Sequence, residues 1–128
     1  MQFAPLVLKD RTGTDIAFAP RDIANGVATH VNSTGVPIAD KRLSYAQTRT
    51  AGNGRTKLSY KLAVPVVQDV NVGGVSRPTV VRSAYVDLTV TFDATSSVTE
   101  RQDVRNMLLS FLGTEMAGRT IESLETLY

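Results

Sequence analysis

The 128-residue chain has no cysteine, no tryptophan and a single histidine, His30. The missing cysteines exclude disulfide frameworks, thiol nucleophiles and cysteine-based zinc sites. One histidine is too few for a multi-histidine metal site, and any Ser-His-Asp arrangement has to use His30. No apolar run approaches the roughly 18 to 20 residues that a membrane-spanning helix needs, so no membrane partner is expected. The opening MQFAPLVLKD lacks a basic start, a long apolar stretch and a small-residue cleavage site. No secretory signal is therefore expected, and Asn32-Ser33-Thr34 reads as a turn rather than a glycosylation acceptor. What is present, 42% hydrophobic and 20% charged residues, suits one globular domain over residues 1–128.

The net charge of +2 hides a strong segregation. Residues 1–40 carry Lys9, Arg11 and Arg21 against Asp10, Asp15, Asp22 and Asp40. Residues 83–128 carry three arginines against seven acids. Between them, Lys41, Arg42, Arg49, Arg55, Lys57, Lys61, Arg77 and Arg82 face one acid, Asp69. That local excess is what a polyanion-binding surface requires, although a wet sheet face rich in Lys and Arg has the same composition.

Period-two alternation organises most of the chain. Residues 3–9 and 15–19 read as an N-terminal hairpin within 1–20, with Pro20 at its end, and residues 26–31 as a further short strand. Asn32 to Gly35 form a turn, and Val36 to Asp40 read as extended. Runs 41–50 and 55–68 flank Ala51-Gly52-Asn53-Gly54, a tight-turn signal, and so form a long hairpin. In the second run Thr56, Leu58, Tyr60, Leu62 and Val64 share one face, and Arg55, Lys57, Ser59, Lys61 and Ala63 the other. Leu43 and Tyr45 point to the apolar side, opposite Arg42, Ser44, Ala46, Thr48 and Thr50. After a flexible-looking loop over 69–78, a third long strand spans 79–92. There Ala84, Val86, Leu88, Val90 and Phe92 alternate with Ser83, Tyr85, Asp87, Thr89 and Thr91.

The period then becomes helical. Ser97-Val98-Thr99-Glu100 fits a capping box, and Val104, Met107, Leu108, Phe111 and Leu112 recur at helical spacing, predicting a helix over 98–112 stopped by Gly113. A second is predicted over Thr120 to Leu127, with Ile121, Leu124 and Leu127 as its stripe. The expected class is therefore α+β: an N-terminal hairpin, a main antiparallel sheet of about five strands over 26–92, and two C-terminal helices within 97–128. Two short helices are a small cover for such a sheet. Exchange of helices with a second copy is the economical solution, which makes Val104, Leu108 and Phe111 candidate dimer-interface residues.

Several strings resemble, in correct order, the coat proteins of single-stranded RNA bacteriophages, the levivirus family. They are Asn25-Gly26-Val27-Ala28, Lys61 to Val67, Val72-Gly73-Gly74-Val75 with Pro78, and Tyr85 to Thr91, with Tyr128 at the end. The resemblance spans essentially the whole chain. It implies an interlocked dimer, built through a continuous sheet, whose copies close into an icosahedral shell around genomic RNA. It also implies that the inward sheet face grips an RNA hairpin, repressing replicase translation and marking the genome for packaging, and that the phage maturation protein is a partner.

By position, Val27, Ser44, Ala46, Ser59 and Lys61 match the family's pocket for an unpaired adenine, and Tyr85 its base-stacking tyrosine. Arg42, Arg55 and Lys57 match phosphate contacts. Thr48, Arg49 and Asp87 complete the RNA-binding set, with three departures from the family: Ala46 where a hydroxyl is usual, Thr48 where arginine is frequent, which a register shift would restore through the adjacent Arg49, and Asp87 where asparagine is usual. The loop Asp69, Val70, Asn71, Val72, Gly73, Gly74, Val75, Ser76, Arg77 and Pro78 matches the segment that meets its copies at the capsid symmetry axes.

Enzymatic readings find no constellation. His30 lies in a short strand without a companion and reads as a packing or interface residue. Glu122 and Glu125 read as a solvated helix face. Neither Gly73-Gly74 nor Gly52-Asn53-Gly54 has phosphate-loop spacing, so no cofactor or metal is expected. The expectation is a virion capsid protein, present in the bacterial host cytoplasm during assembly. The competing one is a dimeric RNA-binding module that forms no shell.

Overall fold

The short, regularly punctuated runs of Val, Thr, Tyr and Leu build an antiparallel meander. The computed structural model describes residues 1–50 and 54–127. It contains strands β1 (Leu6–Lys9), β2 (Asp15–Ala24), β3 (Val27–Asn32), β4 (Lys41–Arg49), β5 (Thr56–Val72) and β6 (Val75–Phe92), then helices α1 (Val98–Leu112) and α2 (Glu115–Glu122). The strands lie side by side in sequence order in one six-stranded sheet, against the five or so expected. Two compact units result, residues 1–91 and residues 92–128.

The N-terminal hairpin is part of this sheet rather than an appendage. Its strand β2 does not stop at Pro20 but runs on to Ala24, pairing first with β1 and then with β3, with a register shift between Pro20 and Asp22. A bulge is where a strand tolerates a residue that lacks an N–H. The tip is held by the Asp10 carboxylate, which accepts from Thr12 Oγ1 at 2.6 Å, Thr12 N at 2.9 Å and Thr14 N at 3.1 Å. Those bonds, the Thr12 side chain's foremost, hold the Asp10 carboxyl below its usual 3.8. Asn25 and Gly26, φ +53° and +78°, make the two-residue turn into β3, a strong hairpin signal that the sequence reading used only as part of a resemblance.

His30 does pack the sheet. It is buried on β3, its Nε2 lies 2.8 Å from the Ala4 carbonyl oxygen, and its ring meets Phe3 edge-on at 4.6 Å. These contacts fasten residues 3 and 4 to the strand. Asn32 Nδ2 donates to Ala17 O at 2.7 Å, tying β3 to β2. Residues 36–40 are not wholly extended, since Pro37–Ala39 form a 3-10 turn.

The segment 69–78 is not an open loop, because β5 continues to Val72, β6 starts at Val75, and Gly73 and Gly74 alone turn the chain with φ of +61° and +82°. Two adjacent positive φ values suit glycine, and the flanking valines favour strand. The second helix begins five residues earlier than predicted and ends at Glu122. Thr114 caps it by accepting from Ala117 N at 3.2 Å, Ala117 is its buried contact, and Gly118 lies inside it. Leu124, at φ +54°, is outside. Arg119 O accepts from Ser123 N and Glu125 N, and the Arg119 guanidinium pairs with Glu115 and Glu125. Glu125 is thus bound to Arg119 rather than aligned with Glu122 on a helix.

Helix α1 forms where predicted. Ser97 Oγ accepts from Glu100 N at 3.2 Å, and Gly113 follows the last turn in right-handed geometry, immediately before the Thr114 cap. The expected turn residues Ala51, Gly52 and Asn53, and the terminal Tyr128, lie outside the described residues. On either side of residues 51–53, Thr50 N donates to Arg55 O at 2.8 Å and Gly54 N to Thr50 O at 3.1 Å.

Candidate nucleic-acid interface

Strand register decides which side chains share a face, because cross-strand partners project to the same side. Three rows cross β3, β4 and β5: Val27, Ala46 and Ser59; Thr29, Ser44 and Lys61; Val31, Arg42 and Ala63. Thr48 opposite Lys57 extends the same face toward the end of β4. The expected residues Val27, Arg42, Ser44, Ala46, Thr48, Lys57, Ser59 and Lys61 therefore lie together. Thr29 joins them opposite Ser44, and a period-two count onward from Val27 would have found it.

Strand β6 completes the face. Its Leu88, Val90 and Phe92 are half-buried while the residues between them are exposed. Tyr85 and Asp87 line one open pocket with Arg42, Ser44 and Lys61, whose wall includes Leu62, Ala63 and Val86. Tyr85 is 78% exposed, so a flat aromatic surface is available beside two cations. Among the described residues, no ion pair or side-chain hydrogen bond engages Arg42, Ser44, Lys57, Ser59, Lys61, Tyr85 or Asp87. Arg55 immediately precedes β5 and has interactions of its own.

Arg49 is the exception. It pairs with Thr56, one residue out of phase with Thr48 and Lys57, and so belongs to the opposite face with Leu43, Tyr45, Gln47, Leu58, Tyr60 and Leu62. Adjacency in sequence does not let it replace Thr48, because a one-residue step reverses the side. On that second face Tyr45 and Tyr60 pack with ring centroids 5.2 Å apart, and Tyr45 Oη donates to Gln47 Oε1 at 2.8 Å. Burial, with a smaller contribution from Tyr45, raises the Tyr60 hydroxyl above its usual 10.0.

The helical unit leaves its apolar stripe open: Val104, Met107 and Phe111 are 45%, 69% and 48% exposed, and Leu108 is half-buried. No cluster of three or more metal-ligating side chains exists among the described residues.

The sheet is cationic and hydroxyl-bearing on one side and aromatic on the other, and two helices with uncovered apolar residues follow it in sequence. The levivirus coat protein model matches residues 1–128, and the chain belongs to that family. It is 41% identical over 131 residues to the capsid protein of Pseudomonas phage PRR1, covering 99% of each chain. To the capsid protein of Escherichia phage MS2 it is 36% identical over 98 residues, or 74% of each. Among solved structures, the virus-like particle of Beihai levi-like virus 21 superposes with a TM-score of 0.88 at 27% identity, covering 100% of this chain and 99% of that one. These relatives are structural capsid proteins, not enzymes.

Proposed function

We propose that this chain dimerises through β6 and its helices, closes into an icosahedral shell, and binds the single-stranded RNA genome on the face carrying Arg42, Ser44, Lys57, Lys61 and Tyr85. The convergence of Arg42, Ser44, Lys61 and Tyr85 on one exposed pocket carries this reading. Cations position phosphates without reading sequence, while hydroxyls and a stacking ring act on splayed-out bases. Val27, Ala46 and Ser59 form the small row suited to a base edge, and Arg55 supplies a further phosphate contact. Ala46 offers no hydroxyl, so a hairpin operator is read with one hydrogen bond fewer here.

The dimer is supported by two unfilled demands: the exposed stripe of α1 and the unpaired outer edge of β6. A two-fold operation that pairs β6 with its copy satisfies both. The Gly73-Gly74 hairpin, including Asp69 to Pro78, would meet its copies at the symmetry axes. The protein then resides in the virion after assembly in the host cytoplasm, represses replicase translation through the RNA hairpin, and shares the particle with the maturation protein.

Size-exclusion chromatography with electron microscopy, recording absorbance at 260 and 280 nm, tests the reading. Uniform shells carrying nucleic acid are expected. A protein that remains dimeric with viral RNA present, yet binds it, would instead be an RNA-binding module without shell formation.

A further inference from the structure

The chain has five asparagines, at positions 25, 32, 53, 71 and 106, and their surroundings differ. Asn32 is held by its Nδ2 bond to Ala17 O, Asn71 lies within β5 ahead of the branched Val72, and Asn106 lies within α1. Asn53 is outside the described residues. Asn25 is exposed, stands between β2 and β3, and is followed by glycine. Among the described residues nothing hydrogen-bonds its carboxamide or the Gly26 N–H, and a Cβ on Gly26 would meet no atom within 4 Å.

The backbone here calls for glycine at position 26 but not for an amide at position 25. Asn25 has φ +53°, which Asn, Asp and Gly all tolerate, and Gly26 has φ +78°. Asp-Gly or Gly-Gly makes the same two-residue turn. The carboxamide therefore takes no part in holding the hairpin and is free to react with its neighbour. With no side chain on Gly26 and no hydrogen bond to break, the Gly26 nitrogen can approach Asn25 Cγ as the turn flexes. Solvent base removes the N–H proton, the nitrogen attacks Cγ, an N–Cγ bond forms, the Cγ–Nδ2 bond breaks and ammonia leaves. Water then opens the cyclic imide at either carbonyl, giving aspartate in the ordinary linkage or isoaspartate, whose main chain runs through the side-chain carbon. Amide and water have become carboxylate and ammonium, and nothing is oxidised or reduced.

The new charge forms beside the cationic face. Val27 follows the turn directly and begins the row of Val27, Ala46 and Ser59. A carboxylate at the end of that row repels phosphates, most strongly at low salt. Isoaspartate also lengthens the main chain of the turn, which loosens the register that a two-residue connection imposes on Val27. We propose that Asn25 is a site of spontaneous deamidation, and that the carboxylate formed there lowers the affinity of the adjoining face for RNA. The modification rests on the turn alone, and its consequence rests on the RNA-binding reading above.

The test ages the full-length protein in mildly alkaline buffer, digests samples with trypsin and reads the masses of peptides 22–41 and 50–55, which separate Asn25 from Asn53. Fragment ions distinguish Asn25 from Asn32. The amide-to-acid mass gain should appear at Asn25, and faster as pH rises. Asn25→Gly, which keeps the positive φ without strain, should show no gain in peptide 22–41. Binding is then measured at low salt on a labelled single-stranded RNA of mixed sequence. Aged native protein should bind several-fold more weakly than fresh protein, Asn25→Asp should bind weakly from the start, and aged Asn25→Gly should bind as it did when fresh. High salt should close these differences. An Asn25 amide that persists in the folded protein while a denatured sample converts overturns the site. Conversion with unchanged RNA affinity overturns its consequence and leaves the RNA face standing. Fresh protein that binds no RNA overturns the RNA-binding reading and that consequence with it, while the mass gain still decides the site.

Discussion

The two faces of the β4–β5 hairpin come from the same residues in alternation, yet they answer to different solvents. One face carries the exposed Arg42, Lys57 and Lys61 beside Ser44, with no ion pair to any of them among the described residues; the other gathers Leu43, Tyr45, Leu58, Tyr60 and Leu62. Both are compatible with the same backbone hydrogen bonds, so the strand pairing itself does not say which face is to be covered. Composition says it. The aromatic face gains from burial at about 25 cal/mol per Å² of apolar surface, and the cationic face would lose by it. A sheet with one face of each kind has one surface that gains from cover and one that gains from water.

The largest effect that bears on this contrast lies in the helices. Phe111→Asp puts a charge into the stripe that a second copy is expected to bury, and should abolish the shell peak in size-exclusion chromatography and leave smaller species. Persistence of full-sized particles would show that the stripe is not an interface. On the cationic face, Tyr85→Ala should weaken binding to a selected RNA hairpin by about 1–3 kcal/mol through loss of one stacked base. Lys57→Ala should weaken binding to all RNAs alike and lower the slope of log affinity against log salt by about one. Arg49→Ala is the sharpest test of the division, because it removes the same charge at a nearby strand position on the opposite side. It should leave affinity within about twofold and the salt slope unchanged. A loss equal to that of Lys57→Ala would break the assignment of faces.

The smallest effect concerns pH. Tyr60 has a raised folded-state pKa, so its contribution to stability is complete below 10.0 and declines as pH rises from there through the folded value. Denaturant titrations across that range should show the decline, and Tyr60→Phe should flatten it.

Much of this division was legible in the sequence, because period two is independent of tertiary detail. Alternation from Lys57 to Val64 was enough to separate the faces, and the Ser97 capping box placed α1 within a residue of its observed start. What failed had local physical reasons. Arg49 is adjacent to Thr48 in sequence, but one residue along a strand reverses the side. The second helix was misplaced because its stripe was sought in Ile121, Leu124 and Leu127, while the Thr114 cap and the small buried Ala117 decide where it forms. The segment 69–78 looked mobile from its glycines, but two glycines between valines make a tight turn as readily as a slack one. Pairing across copies cannot be read from one chain's periodicity, so the proposed dimer rests on the exposed stripe of α1 and the edge position of β6.

The sequence-ordered meander also bears on how the chain folds. Every strand lies beside its immediate predecessor, so each new pairing closes only a short loop and adds little closure entropy. The sheet can grow by successive hairpins in the order in which a ribosome releases them. Strand β6, at the outer edge of the sheet, comes last among the strands. In the proposed dimer, a chain thus completes most of its own sheet before it exposes the edge that would join it to another.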